Sequence, residues 1–153
     1  MASHELTEQD WAARLFVYEF MVGNTRPPSI EVIGAQFQLS HDDARSTLHR
    51  LNDAHMLLLR AGADDILMAH PLSGIPTPFR VYAGDQLLYA NCAWDTLGIA
   101  AMVQRDVRIE APEAFSGETI TYQVVDGTLQ ADDGLLVNFA LPFARWYDDL
   151  IHT

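Results

Sequence analysis

The sequence has 153 residues, 49% of them hydrophobic, with one cysteine, nine arginines, no lysine and a formal net charge of −12. That composition suits a domain with a buried core; it excludes a disordered chain, an internal disulfide and, with no apolar run of roughly 18 residues, a membrane-spanning helix. So acidic a surface repels nucleic-acid phosphates and anionic lipid, so neither nucleic acid nor membrane is expected as a partner, whereas uncharged or cationic small ligands remain open.

The polar, acidic start lacks the basic flank and apolar stretch of a secretory signal, and a single cysteine agrees with a reducing compartment; the expected location is the cytoplasm. Residues 7–22 predict an amphipathic helix, with Trp11, Leu15, Tyr18 and Val22 recurring at helical spacing and Thr7 with Asp10 as its cap. Pro27 and Pro28 end that pattern. Ser29 then caps a second helix with Ile30, Ile33 and Phe37 inward, and the turn at residues 39–43 leads into a third, with Ala44, Leu48 and Leu51 on one stripe. Residues 56–60 and 65–69, around a Gly/Asp turn, predict a hairpin.

Three helices and a hairpin form a winged-helix pattern. Its third helix offers Arg45, His49 and Arg50 against Asp42, Asp43 and Asp53, a poor phosphate-binding face, so a packing role is expected for this half. The three prolines in residues 71–78 predict an extended connector. Beyond it, residues 80–82, 86–89, 107–110, 120–124 and 135–140 predict short strands, and residues 92–103 a helix. The fold class expected is therefore α+β: a winged-helix-like three-helix region over residues 1–70, then a small mixed, mostly antiparallel sheet carrying a helix over residues 71–153.

The lone thiol, Cys92, stands three residues before Asp95, so one helical turn places both groups on one face. A carboxylate beside a thiol can hold, accept or return its proton, a pairing suited to a soft metal or soft electrophile. A helix N-terminus at Cys92 favours the thiolate and also lowers the Asp95 pKa, and apolar walls from Phe79, Trp94, Leu97 and Phe139 are expected to keep the two from ionising together. Taken alone, Cys92 also reads as a core cysteine and Asp95 as a solvated helix-start carboxylate. His41, His49, His55 and His70 lack metal-ligand spacing and read as surface or packing residues. Asp148 and Asp149 read as solvated, and Trp146 and Tyr147 as packing on the sheet.

Three blocks carry a family likeness: residues 75–81 (IPTPFRV), residues 88–97 (LYANCAWDTL), and Ala140, Leu141, Pro142 followed by Arg145 to Leu150 (RWYDDL). In order and spacing they resemble the alkylmercury lyase (organomercurial lyase) family, whose N-terminal winged-helix-like region the first 70 residues also resemble. The resemblance implies protonolysis of a carbon–mercury bond to a hydrocarbon and Hg(II), in which a thiolate captures mercury and an aspartate manages the proton. Cys92 and Asp95 match those two residues and are the catalytic and mercury-binding candidates. The family's second cysteine follows shortly after the aromatic–acidic block, about where this sequence ends at Thr153: either the sequence is cut before it or the protein lacks it, and with one thiol alone an exogenous small thiol is the expected completion of the site. No resident cofactor is implied; Hg(II) is the product. The expected partners are a small organomercurial or other soft-metal ligand, and small thiols. Two further readings stay open: a non-catalytic protein of the same fold that binds a soft metal or small ligand, and a cysteine-based metal-responsive transcription regulator.

Overall fold

In the computed structural model of the chain, residues 5–139 and Arg145 are described. The sequence blocks at residues 140–142 and 146–150, with Trp146, Tyr147, Asp148 and Asp149, lie outside them.

Three capped helices open the fold. The first, α1 (Glu8–Asn24), starts in a capping box: the Asp10 N–H donates to the Thr7 hydroxyl, and the Thr7 N–H donates to the Asp10 carboxylate. Ser29 and Ser40 cap α2 (Ile30–Phe37) and α3 (His41–Asp53) in the same way, each accepting the N–H three residues on. The predicted inward stripe of α3 holds, with Ala44, Leu48 and Leu51 all fully buried. On α1 the buried face is instead Asp10, Ala13, Val17 and Met21, while Trp11 and Leu15 are 47% and 59% exposed.

A buried ion pair turns the helix. Arg50 of α3 forks onto Asp10, with Nη2 at 2.7 Å and Nε at 3.1 Å from Oδ1, and this draws a carboxylate into the position that hydropathy alone assigns to a large apolar residue. Trp11 and Tyr18 flank the guanidinium of Arg14 at 5.7 and 5.1 Å, a use of aromatic faces that needs no burial.

The expected hairpin forms as β1 (Leu58–Leu59) and β2 (Ile66–Ala69). The proline-rich segment beyond it is more than a connector. His70 and Pro71, joined by a cis peptide, turn the chain, and β3 (Leu72–Ser73) pairs antiparallel with β2 to complete a three-stranded sheet. Proline bars a strand interior but suits this turn. Gly74 ends β3 with its N–H on the Leu67 carbonyl at 2.7 Å, and a Cβ built there meets the Ile66 carbonyl oxygen at 2.2 Å. Both neighbours are backbone, so nothing flexible yields. Gly74→Ala is expected to cost about 2–3 kcal/mol through overpacking, which thermal unfolding reads as a fall of roughly 6–10 °C. An unchanged melting temperature contradicts the close approach.

The second sheet holds β4 (Arg80–Ala83), β5 (Gln86–Tyr89), β6 (Val107–Pro112), β7 (Thr119–Val125) and β8 (Thr128–Gln130) in the order β5-β4-β6-β7-β8, every pairing antiparallel. The helix α4 (Ala93–Val103) joins β5 to β6. The strand expected at residues 135–140 does not form over its described part, residues 135–139; β8 takes the place beside β7. Asp126 and Gly127 sit at φ of 50° and 72°, the left-handed pair of a two-residue hairpin turn, so the chain reverses at once and residues 128–130 meet β7 first.

The two sheets meet where Leu72 bridges Ala90, and the Thr77 hydroxyl donates to the Ala90 carbonyl at 2.7 Å. One hydrophobic core runs from Ala13 and Val17 through Leu48, Leu72, Val81 and Leu88 to Ile99 and Ile109. The helical half is tied to the rest by the Tyr18 hydroxyl donating to the His70 carbonyl and by the Gln86 amide donating to the Val22 carbonyl, each at 2.8 Å. Among the described residues no helix is long and apolar enough to cross a membrane.

Candidate functional site

Cys92 is the N-cap of α4, with extended backbone at φ −153° and ψ 178°. Its carbonyl accepts the Thr96 N–H at 3.3 Å, the first bond of the helix. The position leaves the side chain free of helical packing and aims it at the exposed N–H groups of the first turn. No capping hydrogen bond closes on the sulfur, yet the Asp95 and Trp94 N–H groups face it.

Asp95, one turn on, lies beside the thiol and is held on its other side by Asn91, whose Nδ2 donates to Asp95 Oδ2 at 3.1 Å and to the Pro71 carbonyl at 3.2 Å. Pro71 also touches α4 itself: a Cβ at Gly98 comes within 3.0 Å of the proline ring. The turn between β2 and β3 therefore seats the start of α4.

Cys92 and Asp95 are thus brought together, and both are half-buried. The electrostatics differ from the sequence expectation. A helix N-terminus was expected to lower both pKa values; both are raised. Burial pushes the Cys92 thiol up, opposed by the Asp95 and Trp94 N–H groups and reinforced by the Asp95 carboxylate. Burial likewise pushes the Asp95 carboxyl up, and the Asn91 amide, the charge of His70 and the Cys92 thiol oppose it without reversing it. Desolvation of two neighbouring acids outweighs the field of one helix terminus. Both shifts favour the protonated form of each group.

Of the expected wall residues, Phe79 and Leu97 pack against the core. Trp94 and Phe139 stand half in water, 51% and 45% exposed, with their rings edge to face at 5.9 Å. They line a surface rather than seal a cavity.

Three residues join the site without any signal in the local sequence. His70, which read as a surface or packing residue, lies in the β2–β3 turn near enough to Asp95 to oppose the rise of its pKa. Thr96 is fully buried, and its hydroxyl donates to the Ala93 carbonyl at 2.6 Å. Tyr122 of β7 meets the same Thr96 hydroxyl at 2.8 Å, close enough to Cys92 for a thiolate there to raise the phenol pKa further above the value burial gives it. Direction follows from counting hydrogens. Thr96 has one, committed to Ala93, so Tyr122 must be the donor to Thr96. The phenol then presents only acceptor lone pairs to the thiol side.

The sequence pattern of the alkylmercury lyase family matches residues 72–149, a span that begins at β3 and includes Asn91, Cys92, Asp95 and Tyr122. No curated protein matches the chain. Among solved structures 11 chains match; one, a crystal structure of the mercury-bound form of MerB2, superposes with a TM-score of 0.67 at 25% identity, covering 82% of this chain and 60% of that one. This chain therefore spans about 60% of that protein's length.

Proposed function

From a chain that belongs to the alkylmercury lyase family, we propose an organomercurial-cleaving function with Cys92 as the mercury-capturing nucleophile and Asp95 as the acid. The observation that carries the proposal is the side-by-side placement of a half-buried thiol and a half-buried carboxyl whose shared environment favours holding one proton. A mercury-bound relative of the same fold supports the choice of a soft metal.

The substrate arrives as R–Hg bound to a small thiolate. The Cys92 proton passes to the Asp95 carboxylate, and the resulting Cys92 thiolate displaces the small thiolate from mercury. Sulfur donation to the metal weakens the C–Hg bond and raises electron density on carbon. Asp95 then delivers its proton to that carbon as the bond breaks, the bonding pair staying with carbon. The products are R–H, Hg(II) on Cys92 and an Asp95 carboxylate; mercury remains Hg(II) throughout. Cys92 is the only cysteine in this sequence, and a small thiolate from solution can serve as a second soft ligand for the product ion.

The test is turnover of a phenylmercury–thiolate adduct by the full chain with excess small thiol present. Benzene should appear well above the amount formed by thiol alone, and should continue past one equivalent. Retention of mercury at Cys92 with no benzene above background makes the protein a trap and ends the lyase reading.

A further inference from the structure

We infer that Asn91 is a positioning residue, one that fixes the rotamer of Asp95 and confines its proton to Oδ1. This rests on the lyase reading, and it concerns an amide to which neither sequence spacing nor the helix cap assigns a role.

The Asn91 amide has two hydrogens. Both are on Nδ2, and the structure gives Nδ2 two acceptors, the Pro71 carbonyl at 3.2 Å and Asp95 Oδ2 at 3.1 Å. The Pro71 carbonyl can only accept, so it dictates which end of the amide faces it. A flipped amide sets oxygen against two oxygens and leaves a buried NH2 unbonded. The observed orientation leaves a single atom without a partner, Asn91 Oδ1, which is buried and makes no hydrogen bond among the described residues. One orphan acceptor is the lesser cost, because a carbonyl tolerates loss of a partner better than a donor does.

The orientation has a chemical consequence. An N–H donor prefers the carbonyl-type oxygen of a carboxylic acid to its hydroxyl oxygen, since the hydroxyl oxygen is the weaker acceptor. With Asn91 on Oδ2, the neutral acid carries its proton on Oδ1. The backbone N–H of Asn91 also faces the carboxyl, so one residue grips it twice. Among the described residues the remaining charged or titratable groups around Asp95 are Cys92, at the start of its own helix, and His70, from the β2–β3 turn; Tyr122 faces Cys92 from β7. Since the amide is anchored on the Pro71 carbonyl, the acid is referenced to the first sheet as well as to its own helix. A proton on a fixed oxygen is what transfer to a carbon atom demands, because carbon offers one direction of approach, along the breaking bond.

The experiment separates capture from release. In single-turnover reactions with phenylmercury, Asn91→Ala should capture mercury at Cys92 within about twofold of the wild-type rate and release benzene about 10–100-fold more slowly, the size expected of a misplaced acid. Asn91→Gln, which keeps an amide donor, should recover much of that loss. Release within twofold of wild type in Asn91→Ala, or capture and release falling together, overturns the assignment. A second readout needs no mercury. In the amide NMR spectrum, Asp95→Ala should move one Asn91 Nδ2 proton and leave the one on Pro71 in place; if neither moves, the hydrogen bond is absent and the assignment falls, even should Asn91→Ala fail to fold. If the wild type never releases benzene while this signature is present, it is the lyase reading that fails, and with it the role in proton delivery, although the hydrogen bond stands.

Discussion

Cys92→Ser is expected to abolish capture of an organomercurial and release of its hydrocarbon together, by about a thousandfold or more. A serine hydroxyl is not ionised at neutral pH and its oxygen is a hard donor, so it lacks both the charge and the polarisability that mercury selects. No other cysteine in the sequence can substitute. Asp95→Asn divides the same reaction differently. The thiol remains and mercury is still captured, more slowly because the Cys92 proton must now go to solvent, but an amide cannot deliver a proton to carbon, so hydrocarbon release should fall further, by about 10²–10⁴, the usual contribution of a placed general acid. Mercury retention by mass spectrometry and hydrocarbon release by gas chromatography read the two steps apart. Undiminished mercury binding in Cys92→Ser removes the thiol from the mechanism, and undiminished release in Asp95→Asn removes the acid.

The second large effect is on stability. Asp10→Ala is expected to cost about 3 kcal/mol, near 10 °C in melting temperature, because it deletes both the acidic half of the α1 capping box and the buried partner of Arg50. Arg50 is itself 36% exposed and regains water when its partner is removed, which places the cost toward the low end for a broken buried pair. The effect depends on pH with a definite sign. Burial raises the Asp10 pKa, but Arg50 and the N–H and hydroxyl of Thr7 outweigh it and hold the carboxyl below the ordinary aspartate value. A depressed folded-state pKa stabilises fully above the unfolded value, near about 4, and the contribution fades as pH falls through the folded value. Urea unfolding at neutral pH should therefore show the full difference between wild type and Asp10→Ala, and unfolding in strong acid a smaller one. A difference that is constant with pH assigns the loss to packing and removes the ion pair as its cause.

The elements that were legible in the sequence are those announced by local chemistry. Thr7, Ser29 and Ser40 each mark a helix start because a cap and its N–H recipient lie three residues apart. Cys92 and Asp95 were legible as a pair for the same reason. Features set by distant partners were not. Asp10 faces inward because of Arg50, 40 residues away, and Trp11 and Leu15 consequently face water. The strand at residues 128–130 wins over the more apolar residues 135–139 because a tight turn brings it to β7 first. Tyr122 reaches Thr96 across 26 residues and Asn91 reaches Pro71 across 20, distances at which no periodicity operates. The direction of the pKa shifts escapes a sequence reading because a helix terminus is visible in a sequence, whereas the exclusion of water from around a side chain is a property of the assembled fold.

The line of hydroxyls from Tyr122 through Thr96 to the Ala93 carbonyl runs one way and stops at an oxygen that returns nothing. Among the described residues this line offers no proton relay from the sheet side to Cys92 and Asp95. On the proposed lyase reading, the hydrogen that leaves in each hydrocarbon molecule is then replenished from solvent, after the mercury has gone and before the next substrate is seated. Under that reading the pair loads one proton per turnover, and its cycling rate is tied to how quickly the free thiol is regenerated.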